Sequence, residues 1–148
     1  MTAKPAVLVL GLSFLLACAR NDPVSPKLDL AALAGTWALT SWQYTSVANP
    51  TDHVDWVSSF SLTGSLAVTS GGAFTVAPAL PAGFGSDFGT LTMDADSIYW
   101  DGENDEQWVG ATLKGSVLTL DWREVEFVAL HRDGVPQDVR LVVTFHRQ

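Results

Sequence analysis

From residue 35 onward, apolar and polar positions alternate with a period of two, the spacing that sends successive side chains to opposite faces of a strand. Trp37 and Leu39 alternate with Ala38 and Thr40, and the pattern runs to about Ser46. Asn49-Pro50-Thr51-Asp52 reads as a turn. Residues 57–69 form the next candidate strand, with Phe60, Leu62, Leu66 and Val68 on one face and Gly64 as a bulge or bend. Gly71-Gly72 turns the chain tightly into a strand over 73–76. Further strands span 90–93 and 97–100, around Asp94-Ala95-Asp96. Residues 107–113 and 116–122 pair across Lys114-Gly115, and 123–130 prolongs or pairs with the second of them. After a turn at Arg132-Asp133-Gly134, the alternation of Val139, Leu141, Val143 and Phe145 closes the chain.

The pattern therefore predicts an all-β fold of about eight strands, with a turn signal about every eight to twelve residues. No stretch of helical period is long enough for a crossover, which excludes a parallel α/β sheet and leaves a sandwich or a barrel. Consecutive hairpins favour a small antiparallel up-and-down barrel, because a meander closed on itself has no exposed edge. Two segments depart from the period. Residues 27–34 carry Leu28, Leu30 and Leu33 among alanines, enough for a short N-terminal helix of about two turns that Gly35 stops and that could cover one barrel end. Residues 78–89 hold two prolines, three glycines and two phenylalanines, and a loop of this length and apolar content suggests a lid at the barrel mouth.

The first residues change the picture by placing the domain. Lys4 precedes an apolar run over 6–17, the length of a signal-peptide core and too short for a bilayer span. The run ends in Leu15-Leu16-Ala17-Cys18, which resembles the lipobox of bacterial lipoproteins, with Leu three residues before the Cys and a small residue directly before it. The resemblance implies cleavage before Cys18, lipidation of that residue and membrane attachment through it. Ala19, rather than Asp, follows the Cys, which in that family implies the outer membrane where the cell has one. Cys18 is the only cysteine, so no disulfide can form within the chain. The organisation expected is a lipoprotein signal peptide over 1–17, a lipidated Cys and flexible tether over 18–27, and a barrel domain over 28–148, held at the cell envelope.

Gly35-Thr36-Trp37, after a short helical lead-in, resembles the opening of the lipocalin-like (calycin) group, and the likeness covers about residues 33–148. In that group the Trp packs across the closed barrel end against an Arg from the last strand. Arg147 stands in phase with Val143 and Phe145, so the resemblance implies a barrel-closing motif of Gly35, Trp37 and Arg147. It also implies ligand binding as a family tendency, with fold and function remaining separate questions.

Charge narrows the partners. The chain carries a formal charge of −8, and loss of residues 1–17 removes Lys4 alone, leaving −9. This argues against nucleic acid and against electrostatic attraction to anionic headgroups. Six tryptophans are many for one small domain, and large rings either fill a narrow barrel or line a cup for a small ligand. Trp37 reads as core. Trp42, Trp56, Phe84, Phe88, Trp100 and Trp108 are the candidate ligand-binding residues, with Phe84 and Phe88 placed to fold over the mouth.

Catalytic and metal signals are weak. Asp101-Gly102-Glu103-Asn104-Asp105-Glu106 begins like a calcium loop but lacks the distal Glu, and reads as a solvated hairpin tip. His53, His131 and His146 are scattered, without ligand spacing. There is no Gly-x-Ser-x-Gly, and 83–89 lacks the strand–glycine–helix unit of a nucleotide site. The expectation is no enzyme, no metal and no cofactor. The function expected is a lipid-anchored barrel that binds a small hydrophobic or amphiphilic ligand. The alternative is a solid-core barrel that serves as a protein-binding or inhibitor module at the envelope.

Overall fold

A computed structural model describes residues 28–79, 86–131 and 134–148. The lead segment with Cys18, residues 80–85 of the expected 78–89 loop with Phe84, and Arg132-Asp133 of the expected turn lie outside the described residues. The elements are α1 (Leu30–Leu33), β1 (Gly35–Ser46), β2 (His53–Asp55), α2 (Trp56–Phe60), β3 (Thr63–Val68), β4 (Ala73–Ala79), β5 (Asp87–Asp94), β6 (Ser97–Gly102), β7 (Glu106–Lys114), β8 (Val117–Ala129) and β9 (Pro136–Arg147). Every strand pairing is antiparallel, and the order β1-β3-β4-β5-β6-β7-β8-β9 closes on itself through β1–β9. This is an eight-stranded up-and-down barrel, with the short β2 added to the free upper edge of β1.

The alternation read from sequence becomes the inside and outside of the wall. Leu66 and Val68 of β3, Leu91 of β5, Ile98 and Trp100 of β6, Val109 and Ala111 of β7, Leu118, Leu120 and Trp122 of β8, and the odd positions 139–145 of β9 are buried together with Trp37. Intervening positions such as Thr92, Thr112 and Arg140 are exposed. Apolar burial at this scale is the main stabilising term of the fold.

One barrel end is sealed by a lock of first and last strands against α1. Trp37 is opposite Arg147 in the β1–β9 register, and the guanidinium carbon lies 4.2 Å from the indole centroid, a cation–π distance. A helix that ends here leaves carbonyls without intrahelical partners. The Trp37 indole N–H donates to Leu33 O at 2.9 Å, and the Arg147 guanidinium donates to Ala34 O at 2.8 Å and to Ala32 O. Gly35 sits at φ +136°, and a β-carbon there would stand 3.1 Å from Arg147 Nη1, so backbone conformation and space both call for glycine. The helix itself is a single turn, capped by Asp29, rather than the two turns expected over 27–34. Its apolar residues still serve the same end, because Leu33 is fully buried in the core and Leu30 packs on it.

The larger departure lies at 57–69, expected as one strand. Residues 56–60 instead form α2, and β3 begins only at Thr63. Asp55 caps the helix, accepting from Val57 N at 2.8 Å and Ser58 N at 3.4 Å, and Ser61 ends it in the left-handed region at φ 56°. Phe60, expected on the buried face with Leu62, Leu66 and Val68, is consequently 47% exposed. The Asp55 carboxylate also accepts from Ser41 Oγ at 2.6 Å, tying α2 to β1. Partial burial pushes the Asp55 pKa up, but the bonds from Ser41, Val57, Trp42 and Ser58 outweigh it and hold the group below its ordinary value. A carboxylate lowered in the fold adds stability that is present above its unfolded pKa, near 4, and lost as pH falls through the folded value. Asp55→Ala is therefore expected to cost about 1–2 kcal/mol near neutrality. Urea titrations at pH 7 and pH 3 should show that gap shrinking in acid. A constant gap would contradict the assignment.

Candidate functional site

The end opposite the Trp37 lock is open. Strands β1, β4, β5, β6, β7, β8 and β9 bring their ends there, and the barrel interior opens between them into a cup of about 380 Å³. That is near the lower end of the roughly 300–1,000 Å³ typical of small-molecule sites. Trp42, Tyr44, Val76, Trp100, Trp122 and Leu141 supply its apolar surface. Asp87, Asn104, Asp105 and Glu126 supply its polar groups.

The floor is aromatic. Trp100 packs on Phe74 with ring centroids 4.0 Å apart and on Trp122 at 5.9 Å. Its indole N–H donates to Asp87 Oδ2 at 3.0 Å, so a ring on β6 and a carboxylate at the start of β5 hold each other in place. Asp87 is only 9% exposed, and Asn104 folds back from the β6–β7 tip to donate to Oδ1 from its backbone N at 3.1 Å and its side-chain amide at 3.2 Å. Gly102 makes this possible, because a β-carbon there would collide with the Asp87 carboxylate. A buried carboxylate needs this kind of donor set. The tip expected to be a solvated turn is thus partly built into the wall of the cup.

The opposite wall carries a second polar pair. The Tyr44 hydroxyl donates to the Glu126 carboxylate and faces the Trp42 side chain. Burial, opposed by Trp42 and reinforced by Glu126, pushes the Tyr44 pKa up to about 12, which keeps its proton on the oxygen. Burial also raises Glu126 above the usual carboxylate range, with the Tyr44 hydrogen bond working against it and the Asp105 charge adding to it. Glu126 follows a register shift in β8, where extra residues after Trp122 bulge against β9. Trp56 of α2 backs this wall, its ring 5.1 Å from Tyr44 and 5.8 Å from Phe60.

Of the residues singled out from sequence, Trp42 and Trp100 line the cup. Trp56 stands behind Tyr44 and does not line it. Trp108 and Phe88 belong to the outer wall and are 47% and 54% exposed, Trp108 against Tyr99 at 5.2 Å. Strand parity explains this correction: Trp108 precedes the inward Val109, and Phe88 follows the inward Asp87. Tyr44, Asp87, Trp122 and Glu126 were not singled out, although Trp122 shares the parity of the buried Leu118 and Leu120. The 78–89 loop is shorter than expected, since β4 runs to Ala79 and β5 begins at Asp87.

Among the described residues, no group of three or more His, Cys, Asp or Glu is arranged to hold a metal ion. Among them, too, no helix is long and apolar enough to cross a membrane, which says nothing of strands. The fold and site together define a closed antiparallel β-barrel with one sealed end and one aromatic, acid-bearing cup. No family model matches the chain, and no curated protein or solved structure matches it either.

Proposed function

We propose that this protein is a non-enzymatic binder of a small hydrophobic or amphiphilic molecule, a lipocalin-like barrel held at the cell envelope by lipid on Cys18. The observation that carries the ligand reading is the cup of about 380 Å³ lined by Trp42, Tyr44, Trp100 and Trp122. A barrel of eight strands is wide enough for side chains or for one small ligand, and at this end the side chains leave room. Aromatic walls supply large apolar area, and the few polar groups among them can orient a guest. The anchor rests on the Leu15–Ala17–Cys18 pattern, and the tether over 18–27 would lift the barrel from the headgroups.

Titration of the full-length chain with apolar dyes and single-chain lipids tests the reading through tryptophan fluorescence. Three indoles lie at the cup, so binding should shift and quench emission saturably, and Trp100→Ala should weaken it at least about tenfold, as expected for loss of a buried aromatic anchor. A flat response across the panel would contradict it.

A second reading has its own support. The exposed Trp108 and Phe88 on the outer wall are large apolar groups of the kind that mark protein interfaces. On that reading the barrel is a protein-binding or inhibitor module, and Trp108→Ser would abolish partner capture while leaving small-molecule titration unchanged.

A further inference from the structure

The cup is not merely apolar. Three carboxylates, Asp87, Asp105 and Glu126, share its lining with four aromatic side chains, and no Lys, Arg or His is among the described residues that line it. We propose that the cup is selective for a ligand with a cationic head, a protonated or quaternary amine carried on a small apolar body. This rests on the reading of the barrel as a small-molecule binder and names the chemistry of its guest.

The hydrogen bonds around the carboxylates carry the argument. Among the described residues, Asp87 is held by the Trp100 indole N–H and by Asn104, Asp105 by the Gln107 side-chain amide, and Glu126 by the Tyr44 hydroxyl. All of these donors are neutral. They orient the oxygens without cancelling their charge. A carboxylate withdrawn from water is costly unless an opposite charge joins it, and the raised Glu126 pKa is the signature of that cost. Like charges gathered in a recess with low-dielectric walls focus their potential, which draws cations in and turns anions away.

The same lining selects among cations. The carboxylates do not form a group suited to a metal ion, so a compact divalent ion would lack a full oxygen shell here. An organic ammonium needs no such shell. It can sit beside a single carboxylate while neighbouring indole and phenol rings attract it through their faces, an interaction worth more once water is excluded. Trp42, Tyr44, Trp100 and Trp122 surround the space in which such a head would lie, and Val76 and Leu141 offer the apolar surface for its body.

Three probes with the same tail separate charge from hydrophobicity: octyltrimethylammonium, octyl glucoside and octyl sulfate, each titrated below its micellar range into the full-length chain by fluorescence and calorimetry. The expected order is ammonium tightest, by about tenfold or more over the glucoside, with the sulfate weakest. Glu126→Gln, which keeps an acceptor for Tyr44, should cut the ammonium preference several-fold, and so should Asp105→Asn at the exposed rim. The second variant guards against misfolding of the first. Asp94→Asn, in the β5–β6 turn region at the sealed end, should leave the preference intact and so rule out general attraction to an acidic protein. Equal affinity for all three probes, or an ammonium preference untouched in both cup variants, would overturn the cationic selectivity while leaving the cup as a binding site. Failure of every probe to bind would overturn the cup itself, and the selectivity with it.

Discussion

Trp37→Ala is expected to destabilise the barrel by about 3–5 kcal/mol, the usual cost of emptying a buried aromatic site. Three losses combine at this one position. The indole is fully buried at the sealed end, so its removal leaves a cavity among Leu33 and its neighbours. Its N–H no longer satisfies Leu33 O, and Arg147 loses the ring beneath its guanidinium. Since small domains are stable by about 5–15 kcal/mol, the variant should unfold at a fraction of the wild-type urea concentration or fail to accumulate. Trp37→Phe, which keeps most of the ring volume, should fall well short of that cost. A urea midpoint for Trp37→Ala close to wild type would contradict the account of the sealed end.

If the proposed lipid anchor holds, Cys18→Ser is expected to abolish membrane attachment while leaving the barrel intact. Attachment through acyl chains scales at about 0.8 kcal/mol per buried methylene, so removing the acceptor sulfur removes nearly all of it. Cys18, the chain's only cysteine, precedes the residues 35–147 that form the barrel strands. Labelled fatty acid should mark the wild type and not the variant, and the variant should partition into the soluble fraction or persist uncleaved. Efficient cleavage with unchanged membrane association would contradict the lipid anchor. Because thermal unfolding reads the barrel alone, the two predictions are separable: Trp37→Ala is expected to lose the fold without affecting the proposed lipidation, and Cys18→Ser to do the reverse.

How much of this could be read in the chain differs by region, for physical reasons. The strands were legible because a barrel wall imposes one rule, apolar inward and polar outward, on most positions from β3 to β9, with Phe88, Trp108, Asp87 and Glu126 among the exceptions. The Trp37–Arg147 pairing came from the resemblance of Gly35-Thr36-Trp37 to the lipocalin-like opening, and strand phase only pointed to Arg147 as the partner that the β1–β9 register then places opposite Trp37. The helix α2 was not. Phe60, Leu62, Leu66 and Val68 imitate strand spacing, and the competing signal, Asp55 as a cap, lies between the Asn49–Asp52 turn and the strand expected from residue 57, where it was assigned to neither. The cup was half legible. Parity alone separates Trp100 and Trp122, which face inward, from Trp108, which does not, so a stricter use of neighbours Val109 and Leu120 would have sorted them. Asp87 and Glu126 carry no such mark. One opens a strand after a loop, and the other follows a bulge in β8, where counting by twos stops being a guide to facing. Their roles come from partners 13 or more residues away, Trp100 and Asn104 for Asp87 and Tyr44 for Glu126, and only the closed barrel brings those partners together.

The acid-bearing cup also accounts for a tension in the composition. An excess of tryptophan alone suggests a solid core, while an excess of acid alone suggests a solvated surface. At the open end the two meet in one recess, where Trp100 holds Asp87 and Tyr44 holds Glu126. A core evolved only for stability gains little from buried carboxylates, because their desolvation offsets much of what their hydrogen bonds contribute.

The central claim, that the open end is a binding cup, is tested most directly by an experimental structure of the full-length chain grown with octyltrimethylammonium. The account predicts density for the octyl tail inside the barrel among Trp42, Trp100 and Trp122, with the head beside Glu126 or Asp105. Density confined to the outer wall near Trp108, or a mouth filled by its own side chains with no guest, would contradict it.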